Sequence, residues 1–204
     1  NLNSEDMLWL YELGKNMNLE FATAAFHNSF YFHKYDNRTT KINEVCGNFE
    51  DLINRLLKER YPKSWFRAFF NLGLINYIKG GRRLLPCEAG TENFFVDPHG
   101  EVLPCNGMEG KCWFESMGNL HDVVDFMEIW NSEKAKAVRD KVAHCPKSCW
   151  MIGSVSPMMK KYIRHILPWV VKNKLRSLRG IGVDTQCIPF FHVGNNDKQG
   201  IRIG

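Results

Sequence analysis

No run in this 204-residue sequence is long and apolar enough to span a bilayer; the longest, around HILPWVV, falls far short. Acidic residues are almost missing from the last quarter, where residues 151–204 carry nine Lys and Arg against two Asp and Glu. Elsewhere the signs balance, ten against nine over 1–80 and eight against eleven over 81–150. The net charge of +5 is therefore local, and a uniformly basic, sequence-specific nucleic-acid binder is excluded. The opening stretch NLNSEDMLWLYELGK is expected to be a capped helix with charges in it rather than a secretory leader. The chain shows no internal repeat. It opens without Met and without a strand before its first helix, so it reads as a piece of a longer protein. What it does have is 44% hydrophobic and 13% aromatic residues, enough to fill a core.

There are seven cysteines, an odd number: Cys46, Cys87, Cys105, Cys112, Cys145, Cys149 and Cys187. With no leader expected, a disulfide scaffold is a poor reading, and clustered thiols point to metal or redox chemistry. Cys87 and Cys105 stand at the feet of a predicted hairpin, with arms Asn93 to Val96 and Glu101 to Leu103 and the turn Asp97-Pro98-His99-Gly100. Cys145 and Cys149 form the compact pair CPKSC. Two such pairs can converge on one four-thiolate site. Soft thiolates favour zinc or an iron–sulfur cluster, and wide, irregular spacing suits the cluster better. Ordinary buried thiols are the third reading.

Along the chain, Ser4 and Asp6 cap a first helix, with Gly14 as an early stop signal. LEFATAAF, Leu19 to Phe26, alternates and reads as a strand. A helical face runs from Cys46 to about Arg60, and Pro62 opens a second helix, Lys63 to Lys79. Gly80-Gly81 marks a domain boundary. Two short helices follow the hairpin. Residues 157–179 read as one basic amphipathic helix, kinked at Pro168 and apolar along Met159, Tyr162, Ile163, Ile166, Val170 and Leu178. Its cations are Lys160, Lys161, Arg164, Lys172, Lys174, Arg176 and Arg179.

The order Cys87, Gly100, Cys105, then GNL at Gly118 to Leu120, EIWNSEKAKAVR at Glu128 to Arg139, and Cys145, Cys149 and Trp150 resembles the SPASM or twitch domain. Such domains are C-terminal extensions of radical S-adenosylmethionine enzymes. The resemblance implies an α/β chain in three parts. Residues 1–81 would end a partial (β/α) barrel. Residues 82–150 would form a small α+β SPASM/twitch-like domain with a β-hairpin and short helices. Residues 151–204 would be the basic helix and a flexible tail.

The resemblance further implies an auxiliary 4Fe–4S cluster on Cys87, Cys105, Cys145 and Cys149, with Cys112 as an ambiguous fifth candidate; Cys46 and Cys187 are set aside as non-ligands. His27, Asn28, Ser29 and His33, following the strand, would face a substrate cavity, although lone histidines are more often plain loop residues. No catalytic residue is assigned. The family's C-x3-C-x2-C motif is missing from this chain. The S-adenosylmethionine and second 4Fe–4S cluster therefore belong to the parent protein, and this chain is not expected to be catalytic alone. The substrate, whether peptide, sugar or small metabolite, is unspecified, and an electron-donor protein is implied. The expected location is cytoplasmic; the helix 158–179 reads first as one packed on the barrel with a solvated basic face, and second as a membrane-surface or partner helix that would make the chain peripheral to the membrane. The rival reading is a non-catalytic zinc-binding interaction module with the same basic anchor.

Overall fold

The computed structural model describes residues 4–27, 38–106 and 115–186. Among these residues the chain forms seven α-helices and one small sheet. Helix α1 is Met7–Asn16, α2 Ile42–Lys58 and α3 Pro62–Ile78. Strands β1 (Phe95–Val96), β2 (Glu101–Leu103) and β3 (Gly118–Asn119) follow, then a 3-10 turn over Leu120–Asp122. Helices α4 (Phe126–Trp130), α5 (Glu133–Ala143), α6 (Ile152–Lys161) and α7 (Ile163–Leu178) complete the described chain.

Helix α2 presents one apolar face, with Phe49, Leu52, Ile53, Leu56 and Leu57 buried. Helix α3 is different: every residue from 68 to 76 is buried. A helix covered on all sides is the centre of its layer, and α1, α2, α6 and α7 share its core cluster. Two asparagines inside α3 are satisfied rather than stranded. Asn71 accepts from Thr23 Oγ1 at 2.7 Å, and Asn76 donates to the carbonyl of Arg82 at 2.6 Å.

The barrel remnant expected over 1–81 is not what the structure shows. Among the described residues this part is helical, and Leu19 to His27 belongs to no sheet. The alternation read from the sequence is nevertheless real. Phe21, Thr23, Ala25 and His27 turn toward the body, while Ala22, Ala24 and Phe26 are exposed. The segment is strand-like in burial but has no strand beside it, because pairing needs a partner that the pattern cannot supply. It walls a cavity of about 520 Å³ together with Leu56, Phe66, Phe70 and Met159.

Three further expectations shift. Helix α1 runs through Gly14 to Asn16, where Met17 and Asn18 turn the chain. The first hairpin arm is shorter than read, beginning at Phe95. The basic helix is two helices, broken at Tyr162 and not at Pro168, which sits inside α7. The break has a cause in side-chain contacts. Tyr162 donates to Glu88, Lys161 bonds the same carboxylate and also Glu92 at 3.0 Å, and both contacts draw the joint toward the hairpin segment. The buried face of α7 is Ile166, Trp169, Val170 and Asn173, whereas Ile163 and Leu178 point outward.

Trp150, two residues before the start of α6, is 1% exposed and lies against Phe69 and Phe70 of α3. Its Nε1 donates to the Phe70 carbonyl at 2.8 Å. It fits only because position 73 is glycine: a Cβ there would stand 1.9 Å from the indole Cε2. Gly73→Ala gains about 1 kcal/mol of helix propensity but overpacks this contact, which typically costs about 1–3 kcal/mol. The expected net outcome is destabilisation, seen as a lower urea midpoint together with altered tryptophan emission. An unchanged midpoint would show that the indole does not rest on Gly73.

Candidate metal centre

The hairpin is built by its turn. Asp97 Oδ1 accepts from the amides of His99 at 2.8 Å and Glu101 at 2.9 Å, and Gly100 takes φ +81°. The antiparallel register Phe95 with Leu103 and Val96 with Val102 then carries the chain back to Cys105. β3 joins on the far edge of β2, and Asn119 ties it to the turn through His99 O at 3.1 Å and Glu101 Oε1 at 2.9 Å. A second brace is Arg139 of α5, which donates to Gly90 O and Trp130 O, each at 2.7 Å, with its guanidinium over the Trp130 ring.

This frame gathers the thiols. Cys87 and Cys105 both pack against Ala89 and Val142. Val142 is in the last turn of α5, and its carbonyl accepts from the Cys145 amide at 3.1 Å. CPKSC leads from there to Cys149, whose electrostatic neighbours include Cys145 and Cys87. None of the four is in a disulfide, and all are half-buried. Burial pushes the Cys149 thiol above its ordinary range; Lys147 and Arg83 oppose the shift, and Cys145 and Cys87 add to it. Among the described residues, no three His, Cys, Asp or Glu side chains gather tightly enough for one metal ion. Among the described residues the donors gathered here are soft thiols, and the carboxylate next to Cys87, Glu88, is engaged by Lys161 and Tyr162. Such a set fits an iron–sulfur cluster.

Residues 87–151 match the family model of SPASM, an iron-sulfur cluster-binding domain. This segment is a SPASM domain. The match opens on Cys87 and closes one residue after Trp150, so it contains all four thiols. No curated protein matches the chain, and no solved structure does.

The SPASM domain is fastened to the helical body at its last cysteine. The peptide unit between Cys149 and Trp150 is held at both polar ends. Its carbonyl accepts from Arg83 Nη1, and its N–H donates to His27 Nε2 at 3.1 Å. Arg83 is itself fixed through Nε to Leu85 O at 3.0 Å and through Nη2 to Ser154. The other ring nitrogen of His27 lies 2.8 Å from Ala25 O, which makes it the protonated one and leaves Nε2 as the acceptor. The ring stacks on Tyr77 at 4.3 Å, and burial holds its pKa below the usual 6.5.

Of the predicted site residues, the structure thus brings Cys87, Cys105, Cys145 and Cys149 to one region and sets His27 against the last of them. Cys46 is buried in the helical core, away from this set. Asn28, Ser29, His33, Cys112 and Cys187 lie outside the described residues. Sequence reasoning missed Arg83 and Gly73. Arg82-Arg83 beside the first cysteine is an ordinary charged pair in sequence, and nothing local marks Gly73 as a seat for an indole.

Because metal binding and folding are linked in small metal domains, a lost ligand should reach the hairpin. Cys105→Ala is expected to lower bound iron and to reduce the thermal melting temperature. Iron content and melting that both match the parent chain would remove Cys105 from the site.

Proposed function

We propose that this chain is the C-terminal portion of a radical S-adenosylmethionine oxidoreductase or maturase, with its SPASM domain holding an auxiliary 4Fe–4S cluster. The observation that carries the reading is the gathering of four cysteines, none in a disulfide, inside the SPASM match. Cys87, Cys105, Cys145 and Cys149 are the proposed ligands; bound there, the cluster supplies one-electron transfer during modification of a substrate elsewhere in the parent protein. Residues of this chain, inside and outside the domain, do the holding. The Asp97 turn sets the two hairpin feet, α5 delivers Cys145, and the Arg83 and His27 contacts fix Cys149. Four protein ligands leave no open coordination position, which favours electron transfer over direct substrate binding. Chain purified without oxygen should be brown, with iron and acid-labile sulfide in equal amounts. A colourless chain with one zinc would overturn the reading in favour of a zinc module.

A partner surface is proposed on α7. Ile163, Leu167, Val171, Leu175 and Leu178 recur at helical spacing and are each 44% exposed or more. Residues 152–181 contain no acid, and Lys160, Arg164 and Arg179 form no ion pair among the described residues. An exposed apolar stripe beside free cations suits the surface of an anionic bilayer. No described helix is long and apolar enough to cross one. Flotation with vesicles containing phosphatidylserine should carry the chain upward at low salt. Leu167→Glu with Val171→Glu should abolish this, and equal flotation of that variant, or none by the parent chain, would refute the surface role.

A further inference from the structure

We propose that Arg83 and His27 are positioning residues for Cys149, and that Arg83 also raises the reduction potential of the cluster that Cys149 helps to hold. This rests on the cluster reading above. Two independent side chains grip one peptide unit: Arg83 takes its carbonyl and His27 its N–H. A peptide unit is planar, so fixing both ends fixes its plane and with it the Cα of Cys149. The thiol direction then follows from one side-chain torsion. The grip comes from outside the SPASM match, since Arg83 precedes Cys87 and His27 belongs to the extended segment beside α3.

The two residues differ in charge. His27 contributes a neutral acceptor, because its proton sits on the nitrogen facing Ala25 O. Arg83 contributes a permanent cation, held in place by Leu85, Cys149 and Ser154 and lying 5.9 Å from the Trp150 ring. Reduction of a thiolate-ligated 4Fe–4S cluster by dithionite adds one electron and one negative charge; no bond breaks and no proton is required. A fixed guanidinium beside a ligand in a partly dry site favours the more negative state. Lys147 also acts electrostatically on Cys149, from within the CPKSC loop itself.

The test uses the whole chain, reconstituted with iron and sulfide under anaerobic conditions. The readouts are iron content, circular dichroism, the midpoint potential from a dithionite titration followed by electron paramagnetic resonance, and the rate of iron loss to a chelator. Arg83→Gln should keep its iron and lower the midpoint by about 59 mV, the equivalent of a tenfold change in a one-electron equilibrium. Arg83→Lys keeps the charge without the fork, so its midpoint should stay near that of the parent chain while iron loss speeds up severalfold. His27→Phe keeps a ring on Tyr77 but loses the acceptor; it should speed iron loss severalfold without moving the midpoint, and His27→Gln should restore the slow rate.

An Arg83→Gln chain with full iron and the parent midpoint overturns the electrostatic role. His27→Phe and Arg83→Lys chains that lose iron at the parent rate overturn the positioning role, and Arg83→Lys decides the matter if Arg83→Gln does not fold. A parent chain that takes up no iron and sulfide refutes the cluster reading itself, a result distinct from iron-loaded variants that behave like the parent.

Discussion

The contact on which the rest of the arrangement depends is the burial of Trp150 in α3. The indole fills the notch that Gly73 leaves, meets Phe69 and Phe70, and donates to a main-chain carbonyl of the same helix. Replacing a side chain of this size in a core by Ala typically costs about 3–5 kcal/mol, which is a large part of a domain's net stability. Because Trp150 follows Cys149 directly, that energy is delivered to the end of the thiol loop. The helical body is therefore a wall of the SPASM site, through α3 and through the extended segment that brings His27.

Among the described residues, the SPASM domain contributes few buried apolar side chains of its own. Its core is Val102, Met117, Ile129, Ala135 and Val138, with a satellite of Ala89, Val142 and two of the cysteines. Polar geometry makes up the difference. Asp97, Asn119, Ser132 and Arg139 each satisfy main-chain groups that a short hairpin and short helices would leave open. The Asp125 and Glu128 capping box starts α4, a helix too short to be stable alone. A domain organised by caps and turns rather than by oil leaves a natural place for metal to complete its stability.

Much of this was legible in the sequence where the determinants are local. The Asp97 to Gly100 turn, the amphipathic face of α2 and the Pro62 start of α3 are written in neighbouring residues, and the structure has each of them. The cysteine spacing and the order of motifs around it pointed to SPASM. What could not be read is what depends on distant partners. The alternation of 19–27 was visible, but not the lack of a strand beside it. The break at Tyr162 comes from Glu88, far away in the chain, and Pro168 proved compatible with a continuous helix. Much of the basic stripe is also spent internally: Lys161 on Glu88 and Glu92, Lys172 on Asp184, and Lys174 on the carbonyls of Leu57 and Glu59. Charge counted from sequence overstates the charge offered to partners.

The grip on the Cys149 peptide has a consequence for the order of assembly. Its N–H partner, His27, lies 123 residues earlier. Contacts of such sequence separation form late, after the loop they close has paid its entropy. During synthesis, Cys87 and Cys105 can come together as soon as the hairpin folds, while the last thiol stays loose until the chain has emerged beyond Trp150 and the helical body has accepted the indole. A half-built site, with the hairpin thiols together and Cys149 still unplaced, is thus the expected stage before the chain is complete, and the placing of its last thiol is timed by the packing of a tryptophan.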